Sequence, residues 1–465
     1  MDTPLAWADH RVFRHGEQHL VFAVEDASLF ALNDEAQRTL QRWRTRRSVD
    51  PAQLRPSERE ALQDFCDARI LRPLPQAKTP PRRLEPGQCG LATLVLEVAQ
   101  DCNLRCSYCY AGDGTYGGAP TLMEPQTARR SIRYLLDNSR DNEELTVILF
   151  GGEPLLNLPA VEAAVSEAAD RGRAAGKKVR FSLTTNGTLL SPDIIRFLND
   201  ARISVAVSMD GPPAIHDSNR PHADGRGSYA GIVPQLKTLL ASAPLPVAAR
   251  VTLTPAQWSS LPEVFEHLAG LGFHEVGVAP VSPVCTSLLP SREQEDSLMR
   301  GFESLASRFL EEAALGRVLP FSNILDLLSR LHGGHARPIA CGAGYGYMAI
   351  DASGRFFPCH RLTGVTEFRA GDLKTGVDGA SLKTALEDLN EGRAESCSRC
   401  WARTLCAGGC HYENHLRENQ LGLPRGTSCR FIRNWLELGI KTYASLCSSD
   451  AIRSVNPLLN KRAQC

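Results

Sequence analysis

From about residue 90 the chain alternates short apolar runs with segments whose apolar positions recur every three to four residues. The runs are LATLVLEVA (91–99), TVILFGGEP (146–154), VRFSLTTNG (179–187), ISVAVSMDG (203–211), VAARVTLTP (247–255) and HEVGVAPVS (274–282). Between them lie amphipathic stretches such as QTARRSIRYLLDN (126–138), LPAVEAAVSEAADRG (158–172), SPDIIRFLNDA (191–201) and YAGIVPQLKTLLASA (229–243). Repeated strand–helix units predict a parallel sheet with right-handed crossovers. The expected fold class is α/β, with a partial (β/α)6 TIM-type barrel over 90–300. Functional groups of such barrels collect at the C-terminal ends of the strands, where the polar and glycine motifs fall here.

The flanks read differently. Residues 10–32, HRVFRHGEQHLVFAVEDASLFAL, predict three short strands broken at His15-Gly16-Glu17 and Glu25-Asp26. Asn33 then suits a helix N-cap, with Leu40 and Trp43 on one face, and SEREALQDFCDARIL predicts a second helix from Ser57. This small α+β unit occupies 1–76. AKTPPRRLEPGQ, rich in proline and charge, predicts a linker over 77–89. Helical periodicity over 292–332 predicts a helical connection, taken as 301–340, before a cysteine- and glycine-rich part at 341–465.

Composition narrows the classes. Of 465 residues, 43% are hydrophobic and 22% charged, values of a folded globular chain. Lys plus Arg and Asp plus Glu both number 52, so no bulk charge favours nucleic acid or an acidic membrane surface. No apolar run reaches the length of a membrane span, and MDTPLAWADHRVF lacks the pattern of a secretory signal. A folded cytoplasmic protein with neither a nucleic-acid nor a membrane partner is expected.

The unusual quantity is 15 cysteines, most of them in two groups, three within residues 102–109 and nine from residue 341 onward. In a reducing compartment, such clusters favour metal or iron–sulfur ligation over disulfides. Cys102, Cys106 and Cys109 form CNLRCSYC just after the first barrel strand. Three thiolates leave one position of tetrahedral zinc or of a four-iron cluster open. A ligand with amino and carboxylate groups can chelate an open iron; a structural zinc with a remote fourth ligand is the alternative. The next strand ends in Gly151-Gly152-Glu153-Pro154, whose glycines expose backbone and whose carboxylate can take an ammonium group.

At this point the chain resembles the radical S-adenosylmethionine superfamily, whose motif is CxxxCxΦC with an aromatic residue before the last cysteine, here Tyr108. The resemblance implies that Cys102, Cys106 and Cys109 hold a 4Fe-4S cluster whose fourth iron takes the methionine part of S-adenosylmethionine. Gly151, Gly152 and Glu153 would meet the methionine amine. Later strand ends carry Asn186, Ser208, Asp210 and Arg250, which line the ribose, carboxylate and adenine region in that family. Each also suits a turn or cap. Tyr110 and Tyr116 read as packing over the cysteine loop.

The second cluster reads CX12GX4C, gap, CX2CX5CX3C, gap, C. It resembles the SPASM extension of the same superfamily, which carries two auxiliary clusters. That implies Cys397, Cys400, Cys406 and Cys429 on one, Cys341, Cys359 and Cys410 on the other, and three 4Fe-4S clusters in all. With no cysteine soon after Cys341, the latter set has an open position suited to a substrate thiolate. Cys285, Cys447 and Cys465 are candidate fourth ligands or plain buried groups; Cys66 and Cys89 read as structural. Sulfatase-maturing relatives carry an acidic base after the GX4C cysteine. Here His360 stands there, either as a proton acceptor or as a solvent-facing turn residue.

Residues 10–75 resemble the PqqD-like, winged-helix-like recognition element of peptide maturases, which implies β-augmentation by an extended leader segment. The whole resembles the family that matures quinohemoprotein amine dehydrogenase by linking cysteine sulfur to aspartate or glutamate methylene carbons. It implies a substrate peptide or small subunit and a reductant such as flavodoxin or ferredoxin. Other SPASM maturases, making carbon–carbon links, other thioethers or sulfatase-type oxidations, share the same cysteines. A non-enzymatic metal-binding interaction protein is the alternative of another class.

Overall fold

The computed structural model describes residues 5–45, 49, 53–73, 89–390, 397–424 and 426–463. The linker expected at 77–89, except Cys89, and Cys465 lie outside them. Near the N-terminus, β1 (Leu5–Trp7) precedes an antiparallel meander of β2 (His10–His15), β3 (Gln18–Ala23) and β4 (Ser28–Leu32). Gly16 supplies the positive φ of 59° that the first tight turn requires. The Asn33 carboxamide oxygen accepts from Ala36 N at 2.7 Å and opens α1 (Asp34–Trp43) as expected.

The second helix differs from its expected extent. α2 (Pro56–Asp67) begins one residue before Ser57, because proline is tolerated where the helical N–H has no partner. It stops at Asp67 because Arg69 turns left-handed, φ 56°, and Leu71 enters β5 (Leu71–Pro73). β5 pairs antiparallel with β1, a ribbon the sequence pattern did not reveal.

The meander is covered on both faces. Val21 and Ala23 pack with Leu40, Trp43 and Phe65 of the two helices. Leu20 and Phe22 point the other way, into Leu436, Ile440 and Ala402 of the cysteine-rich part. Phe13 and Phe22 meet the Trp401 ring edge-on at 5.1 and 6.2 Å, and Arg403 pairs with Asp9 at 2.6 Å. The N-terminal unit is thus a packed layer of the molecule.

The barrel strands are β6 (Thr93–Gln100), β8 (Glu144–Gly151), β9 (Lys178–Thr185), β10 (Ser204–Ser208), β11 (Ala248–Leu253) and β12 (Glu275–Pro280). A two-residue β7 (Thr121–Leu122) folds back on the end of β6. All six expected runs form strands, and each pairs in parallel with its neighbours in sequence order. Helices α3 (Pro125–Asp137), α4 (Leu158–Ala174), α5 (Pro192–Asp200), α6 (Pro213–Asn219), α7 (Tyr229–Ser242) and α8 (Leu261–Gly270) lie in the connections. Alternate strand residues such as Val147, Leu149, Leu183, Val207 and Val251 are fully or almost fully buried in the main core.

Two further features went unread. β13 (Tyr347–Ile350), from the cysteine-rich part, joins β6 in parallel, and β14 (Phe356–Phe357) follows it antiparallel, so the C-terminal unit extends the barrel sheet. At the other edge, Asn323 Oδ1 accepts from Val278 N at 2.8 Å while its Nδ2 donates to Val278 O at 2.7 Å. The carboxamide thereby occupies backbone groups of edge strand β12. The expected helical connection is two helices, α9 (Arg292–Ala314) and α10 (Ser322–Gly333). The boundary placed at 300/301 falls inside α9.

Because Phe22 is fully buried between the N-terminal sheet and Trp401, truncating it leaves a cavity at that junction. Phe22→Ala should cost roughly 3–5 kcal/mol of stability by denaturant titration; a cost under 1 kcal/mol would mean that the two parts are not joined there.

Candidate active site

The first cysteine group hangs between the end of β6 and the segment after α6. Arg105 N donates to Pro221 O at 2.8 Å and Ser107 N to Asn219 O at 3.0 Å, holding CNLRCSYC as a loop. Cys102, Cys106 and Cys109 are close enough for each thiolate to raise another's pKa. Burial is the larger cause, and it pushes Cys102 and Cys106 to about 11. Metal binding would therefore release protons.

Gly151 and Gly152 are required by this loop. A Cβ on Gly151 would stand 2.1 Å from Ala99 O, and one on Gly152 would stand 2.2 Å from Asp101 O. Backbone bonds from Gly152 N to Ala99 O, 2.7 Å, and Glu153 N to Asp101 O, 2.8 Å, complete the seam. Glu153 is fully buried; it accepts from Asn186 N and Thr185 Oγ1 at 2.7 Å each and from Leu155 N at 3.1 Å. Desolvation nonetheless raises its pKa to about 7, so a bound ammonium group would favour its anionic form.

The remaining expected cofactor contacts divide into two sets. Asn186 Nδ2 reaches Asn103 Oδ1 at 2.9 Å and lies 3.8 Å from Cys102 Sγ, placing it under the cysteine loop. Ser208 and Arg250 pair in the β10/β11 register, half-buried and exposed respectively. Tyr108 and Asp210 are bound to each other instead: Tyr108 Oη donates to Asp210 Oδ2 at 2.6 Å. Asp210 also accepts from Arg220 Nε at 3.0 Å, Asn219 Nδ2 at 3.2 Å and Thr252 N at 2.9 Å. Asp210 thereby ties the cysteine loop to Arg220 and to β11.

Arg220 was not singled out from sequence. It is buried, lies over the Tyr108 ring at 5.4 Å and places Nη1 4.0 Å from Cys106 Sγ. No spacing signals it, since tertiary contact alone brings the segment after α6 to the cysteine loop.

The later cysteines fall into two sets. Cys341 and Cys410 both raise the Cys359 thiol, which burial carries to about 12. Cys397, Cys400 and Cys429 raise Cys406, and Cys397 and Cys400 raise Cys429. Arginines stand beside both sets: Arg361 Nη1 lies 4.0 Å from Cys410 Sγ, half-buried Arg337 feels Cys341 and Cys406, and Arg433 lowers Cys429. Cys285 is exposed, 3.0 Å from Ser287 Oγ, and Cys447 is exposed with Tyr443 nearby. Among the described residues no three His, Cys, Asp or Glu side chains form a group suited to a single metal ion.

An aromatic layer separates the first two sets. His360 packs against Phe150 at 4.8 Å and Tyr110 at 6.4 Å, and its Nδ1 is 2.6 Å from Tyr347 Oη. It is half-buried, with its ring turned toward Phe150 and Tyr110, and desolvation pushes its pKa down to about 3, leaving it neutral. Tyr110 continues the layer to Tyr116 and Tyr412, at 6.1 and 5.8 Å. Beneath it lies Glu97, level with Phe150 in the β6/β8 register and fully buried. Neither carboxyl oxygen has a partner of hydrogen-bond geometry, although Thr363 approaches closely enough to lower the pKa against the much larger effect of burial. Read as part of an apolar strand, Glu97 passed unnoticed.

The comparisons agree with this geometry. Residues 96–241 match the model of the radical SAM superfamily. The chain contains a radical SAM domain. Such a domain implies S-adenosylmethionine and a 4Fe-4S cluster, and the Cys102 loop, with three thiols near one another and near Glu153, offers donors of the right kind. The chain is 22% identical over 389 residues to a cysteine-type anaerobic sulfatase-maturating enzyme of Clostridium novyi, covering 78% of this chain and 99% of the relative. It is 28% identical over 169 residues, 34% of each chain, to the radical SAM cyclopropyl synthase TigE of Paramaledivibacter caminithermalis. A solved structure described as anSMEcpe with bound AdoMet superposes with TM-score 0.65 at 18% identity, covering 81% of this chain and 98% of that one. Streptococcus suis SuiB bound to precursor peptide SuiA superposes with TM-score 0.51 at 14% identity, covering 88% and 96%. These likenesses establish the fold. No helix among the described residues is long and apolar enough to cross a membrane.

The raised pKa of Glu153 has a stability consequence. The folded state prefers its neutral form, so stability falls as pH rises from the unfolded value near 4.5 to the folded value near 7 and is level above it. Glu97, His216 and His360 also titrate in that window, so the readout is the difference between wild type and Glu153→Gln in metal-free protein, which should change by roughly 3 kcal/mol across it when denaturation midpoints are compared. A wild-type-minus-variant difference independent of pH would remove the assignment.

Proposed function

We propose that the chain is a radical S-adenosylmethionine peptide maturase with three 4Fe-4S clusters. The observation that supports the reading is that the Cys102 loop packs against Gly151, Gly152 and Glu153, while the later cysteines lie within electrostatic range of one another in two groups. Cys102, Cys106 and Cys109 would hold the cluster that binds S-adenosylmethionine. Cys341, Cys359 and Cys410 would hold a second, and Cys397, Cys400, Cys406 and Cys429 a third. Once bound and reduced, the first group supplies a 5′-deoxyadenosyl radical able to take hydrogen from an unactivated carbon.

The protein's own groups then orient and exclude. Glu153 would take the cofactor's ammonium group, with Ser208 and Arg250 on its carboxylate and ribose side. Phe150, Tyr110 and Tyr116 would exclude water between the radical site and the substrate. His360 would accept the proton of a substrate thiol on Nε2 when Nδ1–H donates to Tyr347 Oη. At its depressed pKa it would keep that proton only beside a thiolate. A carbon–sulfur link formed this way would remove one hydrogen atom from carbon and one proton and one electron from the thiol, and a cluster held by the later cysteines would serve as the electron acceptor. That favours thioether formation of the quinohemoprotein amine dehydrogenase type over sulfatase oxidation, whose acidic base is replaced by His360. The electron donor would be a flavodoxin or ferredoxin, and the N-terminal unit would recruit the leader of a peptide or small subunit along a strand edge.

Replacing Cys102, Cys106 and Cys109 together by Ala should abolish formation of 5′-deoxyadenosine, at least 1,000-fold, while iron bound by the later cysteines remains. Cleavage persisting at a comparable rate would overturn the reading. Mass spectrometry of a co-expressed cysteine-containing substrate should show a loss of two hydrogens per link.

A further inference from the structure

We infer that Arg361 is a positioning residue that sets the electron affinity of the group proposed at Cys341, Cys359 and Cys410, an inference that rests on the ligand reading above. Two hydrogen-bond donors of this one residue reach sulfurs of two cysteines in the same set. Its backbone N lies 3.5 Å from Cys359 Sγ, and Nη1 lies 4.0 Å from Cys410 Sγ. The guanidinium is clamped. It lies 4.3 Å from the centre of the Tyr412 ring and 5.1 Å from that of Tyr110, and Nη2 is bonded to Ser282 Oγ and stands 3.3 Å from Glu413 Oε1.

The anchors come from separate parts of the chain. Tyr110 follows Cys109 in the first cysteine loop, Tyr412 and Glu413 follow Cys410, and Ser282 follows β12. The arginine is therefore held where the first and second cysteine sets approach through the aromatic layer. Three thiolates and a cluster core carry net negative charge into a partly dry site, and reduction adds another. A fixed cation and N–H donors at the sulfurs favour the added electron, the established route by which protein surroundings raise a cluster's reduction potential. Glu413 offsets part of the charge but is itself partly exposed, whereas the N–H groups are aimed at sulfur.

The test uses the full chain, reconstituted anaerobically with iron and sulfide and titrated with dithionite under spectroscopic observation. The signal of this group is first identified as the one lost in Cys359→Ala. In Arg361→Gln its electron affinity should fall at least tenfold, about 59 mV for one electron, while the Cys102 group is unmoved. Arg361→Lys, which keeps the charge but loses the planar stack, should fall between wild type and Gln. A potential unchanged in Arg361→Gln with the signal intact overturns the inference. If the Gln variant fails to load, the Lys variant decides: a lowered potential supports the inference and a wild-type potential overturns it. Iron content unaffected by Cys359→Ala overturns the ligand reading itself, a failure separate from an unmoved potential.

Discussion

The burial of thiol groups is the constraint around which this molecule is built. A thiolate taken out of water resists ionisation, and Cys102, Cys106 and Cys359 all show it, with pKa values pushed to about 11 or 12. Such groups become useful only where positive charge and N–H donors make up for lost hydration. The fold supplies these at each set: Arg220 beside Cys106, Arg361 beside Cys410, Arg337 within electrostatic range of Cys341 and Cys406, and Arg433 within that of Cys429.

Supplying them requires long-range contacts. Arg220 reaches the first loop because Asp210, at the end of β10, holds its guanidinium, while Tyr108 from the loop bonds the same carboxylate. One buried carboxylate thus joins the β10–β11 crossover and strand β11 to the cysteine loop. The glycines at 151 and 152 complete the joint from the other side, since a side chain there would overlap the backbone of residues 99–101.

The same logic unites the three parts of the chain. β13 extends the barrel sheet beside β6, so the loop bearing Cys359 and His360 is delivered to the rim that carries Cys109 and Tyr110. The N-terminal sheet places Phe13 and Phe22 on Trp401, immediately after Cys400. Apolar burial at that junction gives the N-terminal unit mechanical contact with the third cysteine set.

Local pattern alone determined a great deal. The six barrel strands, their helices, the N-terminal meander and the Asn33 cap were legible because each rests on spacing or side-chain chemistry within a few residues. The cysteine motifs were legible too, since neighbouring thiols in a loop must share surroundings. What only the tertiary structure decided depends on residues far apart in sequence. The β1/β5 ribbon and the pairing of β13 with β6 carry no local signal of their partners. The hydrogen bonds of Asp210 to Tyr108, Arg220 and Thr252 carry no local signal, because those partners arrive from elsewhere in the chain. Glu97 was hidden in an apolar strand, and Arg220 and Arg361 in unremarkable turns. A charge acquires its role from what it faces after folding, and periodicity along the chain does not record that.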